Sequence, residues 1–300
     1  MAEFGRVLTA MVTPLDGRGN VDYKRARELA AALIASGSDG LVLAGTTGES
    51  PTLTSEEKLT LFREVRDEIG TRGQIVAGTC TYNTAESIEL SREAARAGVD
   101  GILGTVPYYN KPPQHGLYAH FKAIAEAVDR PIILYNVPSR TATVMQPETT
   151  IKLSRISNII GIKEASGNLD WAAQIVEESA DGFKVWSGDD IITLPLLSVG
   201  GYGIVSVASH LVGRQIQQMI ADHLEGRPAE AAALHRSLRP IFNGLFVTTN
   251  PIPLKYALRK VGFPVGGVRL PLVEPDEKAA EQIDAVLAKT TIDLPIPVVA

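Results

Sequence analysis

The sequence holds a single cysteine, Cys80, so no intrachain disulfide can form and stability must come from core packing. One cysteine also suits a reducing compartment. Histidine is sparse, and none of His115, His120, His210, His223 and His235 falls in a metal-ligand spacing such as His-Glu-x-x-His. No metal site is expected. Neither sign of charge dominates: 29 Lys+Arg against 34 Asp+Glu leave −5, with no basic run to grip nucleic acid or a membrane surface. Long apolar runs are missing too; none approaches the roughly 18–20 residues of a spanning helix. The N-terminus carries Glu3 and no basic leader ahead of an apolar stretch, so it does not read as a signal peptide. A soluble, cytoplasmic protein is the expectation.

What is present is a repeated unit: a short β-branched apolar run, a polar or Gly-rich loop, then an amphipathic segment. The runs are Val7–Val12, Gly40–Leu43, Ile75–Gly78, Gly101–Val106, Ile132–Tyr135, Ile159–Lys163, Phe183–Ser187 and Gly203–Val207. They are continuous rather than alternating, as strands covered on both faces should be. Helical spacing fills Tyr23–Ala35, Ser55–Ile69, Ala85–Ala97 and Gly116–Val128, with a capped start at Thr54-Ser55-Glu56-Glu57. Gly37, Gly70 and Gly98 stand just past three of these helices. The phrases Ser36-Gly37-Ser38-Asp39-Gly40 and Ala97-Gly98-Val99-Asp100-Gly101 repeat one helix-to-strand corner. Eight units predict a (β/α)₈ barrel over residues 1–225, a doubly wound open sheet being the alternative. Val212–Glu225 then reads as the final barrel helix. Ala229–Asn243, Pro253–Val261 and Asp276–Ala288 form a helical extension over 226–300.

In such a barrel the reactive groups project from the C-terminal ends of the strands. That rule selects Lys163, which closes an apolar strand. There desolvation favours the uncharged amine that attacks carbonyls, unless the side chain snorkels to solvent or pairs with Glu164. It also selects Tyr135, whose phenol can shuttle protons or simply hydrogen-bond from a packed ring. Arg140, in the next loop, can fork onto a carboxylate or stand in solvent. Gly45-Thr46-Thr47-Gly48-Glu49-Ser50 lets the backbone approach an anion, yet lacks the Gly-Lys-Ser/Thr ending of a phosphate loop. Pro107-Tyr108-Tyr109-Asn110-Lys111-Pro112 is a rigid aromatic tip of the kind found at interfaces. Gly200-Gly201-Tyr202-Gly203 precedes a strand instead of following one, so no nicotinamide cofactor is indicated, and no other cofactor is expected.

Taken in order, GTTGES, PYYNKP, YNVPSRT, GIKEASGN, SGDD and GIVSV resemble the dihydrodipicolinate synthase family from about Gly5 to about Pro271. That family belongs to the pyruvate-dependent class I aldolases, with N-acetylneuraminate lyase. The resemblance implies a lyase of lysine and diaminopimelate biosynthesis, condensing pyruvate with L-aspartate 4-semialdehyde. It implies Lys163 as the imine-forming residue and Tyr135 as the acid/base. Thr46 and Tyr109 would be relay partners, Tyr109 reaching in from a neighbouring subunit. Thr47 and the Val205 backbone would hold pyruvate, Gly188 would line the cavity, and Arg140 would bind the second carboxylate. A homotetramer built as a dimer of dimers is also implied. Another aldolase of the superfamily, cleaving N-acetylneuraminate or a 2-keto-3-deoxy sugar acid, is the alternative; sialic acid lyases lack the arginine in the matching loop. Many family members are inhibited by lysine where two subunits meet. In strongly sensitive bacterial members two histidines and an asparagine help form that pocket. Here Ser55, Lys58 and Tyr82 stand at those positions, while Ser50, Glu86 and Tyr108 keep the pattern. Weak or absent feedback is the expectation.

Overall fold

The computed structural model describes residues 4–296. Eight parallel strands close into a barrel, each paired with its neighbours in sequence: β1 Val7–Ala10, β2 Gly40–Leu43, β3 Gln74–Gly78, β4 Gly101–Thr105, β5 Ile132–Asn136, β6 Ile159–Glu164, β7 Lys184–Ser187 and β8 Gly203–Ser206. Closure comes from the parallel pairing of β8 with β1, where Leu8 stands opposite Val205. An open sheet is thereby excluded. The helices are α1 (Tyr23–Ala35), α2 (Ser55–Ile69), α3 (Thr84–Arg96), α4 (Gln114–Ala127), α5 (Pro138–Thr141), α6 (Pro147–Leu153), α7 (Leu169–Glu178), α8 (Thr193–Ser198) and α9 (Ser209–Leu224). Beyond them lie α10 (Pro228–Gly244), α11 (Ile252–Lys260) and α12 (Glu277–Leu287), and we place the start of the C-terminal extension in the turn before α10.

Local chemistry explains the boundaries. Thr54 and Glu57 form a reciprocal capping box at the start of α2, Glu57 N donating to Thr54 Oγ1 at 3.1 Å and Thr54 N to Glu57 Oε2 at 2.9 Å. Gly37, Gly70 and Gly98 take φ of 105°, 54° and 89°, the left-handed region that ends a helix without steric penalty. The first strand is two residues shorter than expected because the Val12 N–H leaves the ladder and donates to His210 Nε2 at 3.2 Å. Between β5 and β6 the chain makes two short helices that the residue pattern did not single out. Asn136 pins them, accepting from Met145 N at 3.0 Å through Oδ1.

Two apolar layers hold the barrel. Inside it, Phe4, Leu8, Val42, Val76, Leu103, Ile133, Trp186 and Val205 pack together, while a larger cluster fills the space between strands and helices. Each such side chain contributes about 1.5–3 kcal/mol on burial. Phe4 plugs the floor, and a Cβ on Gly101 would lie 2.7 Å from its ring. The extension is bound to the barrel by polar ties. Arg269 donates to Glu57 Oε1 at 2.5 Å and to the carbonyl of Thr52 at 2.6 Å, and Asp293 N donates to the carbonyl of Leu211 at 2.7 Å.

Two buried histidines each make an acid-sensitive contribution to stability. His210 is fully buried; Nδ1 lies 2.9 Å from the carbonyl of Val207 while Nε2 accepts from Val12, so only the neutral ring satisfies both. His120 bonds Thr84 Oγ1 through Nδ1 at 2.9 Å, and its buried Nε2 has no partner among the described residues. Desolvation pushes both rings down to about 4 from 6.5. The unfolded chain therefore takes up protons on these two rings below about pH 6.5 that the folded chain refuses until about pH 4, and their contribution to stability falls across that window. The buried carboxyls of Asp190 and Glu164 oppose it, their raised pKa values favouring the folded state as pH drops. The full shift is on the order of 3 kcal/mol per histidine at about 1.36 kcal/mol per pH unit. Urea unfolding at pH 7 and pH 4.5 checks this. His120→Phe is expected to flatten the slope by about one proton, and an unchanged slope contradicts the assignment.

Candidate active site

Strand alternation decides which groups reach the barrel mouth. In the β5–β6 register Tyr135 stands opposite Lys163, and Asn136 opposite Glu164. Tyr135 and Lys163 therefore share the inner face, and Asn136 and Glu164 the outer one. Lys163 does not pair with Glu164. That carboxylate instead accepts Asn136 Nδ2 at 3.0 Å and Ser166 N at 2.6 Å, and burial pushes its pKa up. The Lys163 amine lies over the Tyr135 ring, 4.2 Å from its centroid. It is 5% exposed, and among the described residues no hydrogen bond or ion pair holds it. The snorkelling alternative fails on burial.

A cavity of about 490 Å³ opens above this pair, lined by Thr46, Thr47, Tyr135, Arg140, Lys163 and Gly188, together with residues 246 and 248–250. Gly188 is required by space: a Cβ there would come 2.6 Å from Ala165 Cβ and 3.1 Å from Lys163 Cε. The Thr46–Thr47 loop is shaped by backbone strain. Ala44 and Glu49 adopt φ of 50° and 56° on either side of it, and Thr13 Oγ1 donates to the carbonyl of Gly48 at 2.7 Å. Arg140 is exposed at the rim, its Nη2 donating across 3.5 Å to the carbonyl of Asn250.

Two residues named from sequence do not present their side chains to this chain's own cavity. The Val205 side chain packs in the inner core, and Val207 is the β8-end residue that lines the cavity. Tyr109 is 88% exposed, with φ of 70°, and does not line its own chain's cavity. Its neighbour Tyr108 packs edge-on against Tyr82, with ring centroids 5.1 Å apart.

A second cavity of about 330 Å³ adjoins the first, sharing Thr46, Val137 and Arg140 and reaching Lys58, Cys80 and Tyr108. Burial pushes the Cys80 thiol up to about 12, which leaves it inert as a nucleophile. Lys58 is only 7% exposed and no acceptor pairs with it among the described residues; desolvation lowers its pKa.

Residue reading missed the contribution of the extension. Asn250 Nδ2 donates to Thr47 Oγ1 at 2.8 Å, and fully buried Lys255 donates to Glu49 Oε1 at 2.5 Å and to the carbonyl of Gly267 at 2.7 Å. The one visible signal was a lysine and an asparagine inside an otherwise apolar, proline-rich stretch, Asn250-Pro251-Ile252-Pro253-Leu254-Lys255.

A lysine amine seated on a tyrosine ring, under an arginine and a hydroxyl-bearing loop, defines a barrel of the Schiff-base aldolase kind. The chain belongs to the dihydrodipicolinate synthetase family, whose model matches residues 3–290. It is 56% identical over 296 residues to the 4-hydroxy-tetrahydrodipicolinate synthase of Dehalococcoides mccartyi strain 195, covering 99% of this chain and 100% of that one. To the Symbiobacterium thermophilum enzyme of the same name it is 58% identical, covering 97% and 100%. Among solved structures, the Bacillus anthracis dihydrodipicolinate synthase superposes with a TM-score of 0.94 at 46% identity, covering 96% of this chain and 99% of that one. The Cyanidioschyzon merolae enzyme with lysine bound gives 0.94 at 49% identity, covering 95% and 98%.

Proposed function

We infer that the protein is a lyase condensing pyruvate with L-aspartate 4-semialdehyde to give 4-hydroxy-tetrahydrodipicolinate, a step of diaminopimelate and lysine biosynthesis. Its family and its 52–58% identical relatives of that name support the reading. The observation that carries the mechanism is the amine of Lys163, without a hydrogen-bond or ion-pair partner among the described residues, on the face of Tyr135 inside a cavity that also presents Arg140. Lys163 attacks the ketone of pyruvate, water leaves, and the imine loses a methyl proton to become an enamine. Thr47 holds the pyruvate carboxylate, the Val205 backbone contacts the bound pyruvate, and Gly188 leaves room for it. Arg140 grips the carboxylate of the semialdehyde in two-point fashion, and the enamine carbon attacks the aldehyde. The semialdehyde's amine then closes on the imine carbon and expels Lys163. Tyr135 moves the protons, relayed through Thr46 and through Tyr109 of a neighbouring subunit.

That last role gives the exposure of Tyr109 a reason: a large aromatic held in solvent at a left-handed residue suits insertion into a second copy. We assign the assembly as a homotetramer built as a dimer of dimers, for which the exposed Tyr109 supports a contact between two copies. Among the described residues no helix is long and apolar enough to cross a membrane, and we place the enzyme in the cytoplasm. Initial rates with pyruvate plus aspartate semialdehyde, set against N-acetylneuraminate and 2-keto-3-deoxygluconate, test the reading. Turnover is expected with the first alone, and preference for a sugar acid overturns it.

Feedback by free lysine is expected to be weak or absent. The cavity beside Thr46 already disfavours one buried ammonium, that of Lys58, and a cationic effector would bring another into the same low dielectric. Initial rates against lysine concentration decide it; an IC50 in the low- or sub-millimolar range contradicts it.

A further inference from the structure

We propose that Asn250 is a positioning residue that couples the two carboxylate-binding points of the cavity and so sets the affinity for both substrates. The proposal rests on the function inferred above. Asn250 is 4% exposed and lines the catalytic cavity, although it comes from the segment before α11 and not from any of the eight barrel units. Its side chain holds Thr47, Nδ2 donating to Oγ1 at 2.8 Å. Its backbone carbonyl accepts Arg140 Nη2 at 3.5 Å. One residue thus touches the loop after β2 and the loop after β5, the two places where carboxylates are to be held.

The direction of the first bond matters. A hydroxyl that accepts from Asn250 keeps its own proton free to donate to a carboxylate oxygen. With the amide turned the other way, Thr47 would donate inward and offer an anion only lone pairs. The orientation leaves Asn250 Oδ1 buried without a partner among the described residues, an arrangement that folded proteins rarely tolerate.

The coupling is stiff because the same two segments are tied a second time. Five residues beyond Asn250, Lys255 donates to Glu49 Oε1 at 2.5 Å, and Glu49 Oε2 accepts Arg269 N at 2.9 Å. Glu49 lies two residues beyond Thr47 and is held at φ 56°. Thr47 cannot swing away from Asn250 without disturbing an ion pair whose side chains are 0% and 2% exposed.

Asn250→Asp and Asn250→Ala test the proposal. The aspartate keeps the shape, but when ionised it can only accept, so the Thr47 hydroxyl must donate its hydrogen bond to it, and a negative charge is set beside both carboxylate sites. At mildly alkaline pH its KM for pyruvate and its KM for aspartate semialdehyde are each expected to rise about tenfold, with kcat changed much less. The deficit should shrink as pH falls, because the protonated side chain regains a donor. Asn250→Ala should raise both KM values by a smaller, pH-independent factor. A residue needed for folding alone would lower the melting temperature and leave this pH signature out. Folded Asn250→Asp with both KM values within about twofold of wild type overturns the proposal, as does a pH-independent loss confined to kcat; should the aspartate variant not fold, unchanged KM values in Asn250→Ala do the same. Wild-type labelling of Lys163 by pyruvate and borohydride, run alongside, separates the two claims. If labelling is absent, the functional reading fails; if it is present with unmoved KM values, only the role of Asn250 does.

Discussion

Replacing Lys163 by methionine is expected to lower turnover by on the order of 10³-fold or more and to abolish covalent capture of pyruvate. The thioether matches the length and volume of the lysine stem but cannot attack a ketone, so the covalent route disappears while the packing stays. Packing is the concern at this position, because the side chain is 5% exposed and its Cε already sits in the space above Gly188. Lys163→Ala should lose as much activity, with some stability lost to the void it leaves. The measurement is borohydride reduction with pyruvate followed by peptide mass spectrometry, with steady-state rates and melting temperature on each variant. Wild-type protein should carry the reduced adduct on the peptide containing Lys163 and nowhere else. A folded methionine variant with undiminished turnover would sink the Schiff-base mechanism, whatever the similarity to known synthases.

The residues that reading along the chain could find are those placed by a local rule. Lys163 and Tyr135 end neighbouring apolar strands, and the two-residue period of a strand puts both on one face. The same period places Glu164 on the opposite face, which is why the apparent Lys-Glu pair is not one. Gly188 was legible as a cavity residue only through family resemblance; its steric reason, the closeness of Ala165 and Lys163, is a tertiary fact. What stayed hidden depends on contacts between distant segments. Asn250 meets Thr47 across 203 positions and Lys255 meets Glu49 across 206, so no window of sequence contains either pair. β1 and β8 end one or two residues early where a side chain took over a backbone N–H, as His210 does at Val12 and Asp190 at Val207. Tyr109 lies beyond what a single chain can place, since its proposed partners belong to another copy.

Tyr135→Phe should lower kcat by about 10²–10⁴-fold, the range typical of losing a positioned acid/base group. The substitution is informative because Tyr135 does two separable things. Its ring packs in the inner core and carries the Lys163 amine on its face, 4.2 Å from the centroid, and phenylalanine keeps both features. Its hydroxyl makes no hydrogen bond to any described residue, so deleting it leaves no protein group unsatisfied and the melting temperature should stay close to wild type. The loss must then fall on proton transfer: delivering a proton as the carbinolamine expels water, and moving another as the enamine adds to the aldehyde. Single-turnover trapping with pyruvate and borohydride is expected to show imine formation slowed but still complete, since Lys163 remains in place. A variant with wild-type kcat would remove Tyr135 from the chemistry and leave it as the floor on which the lysine rests.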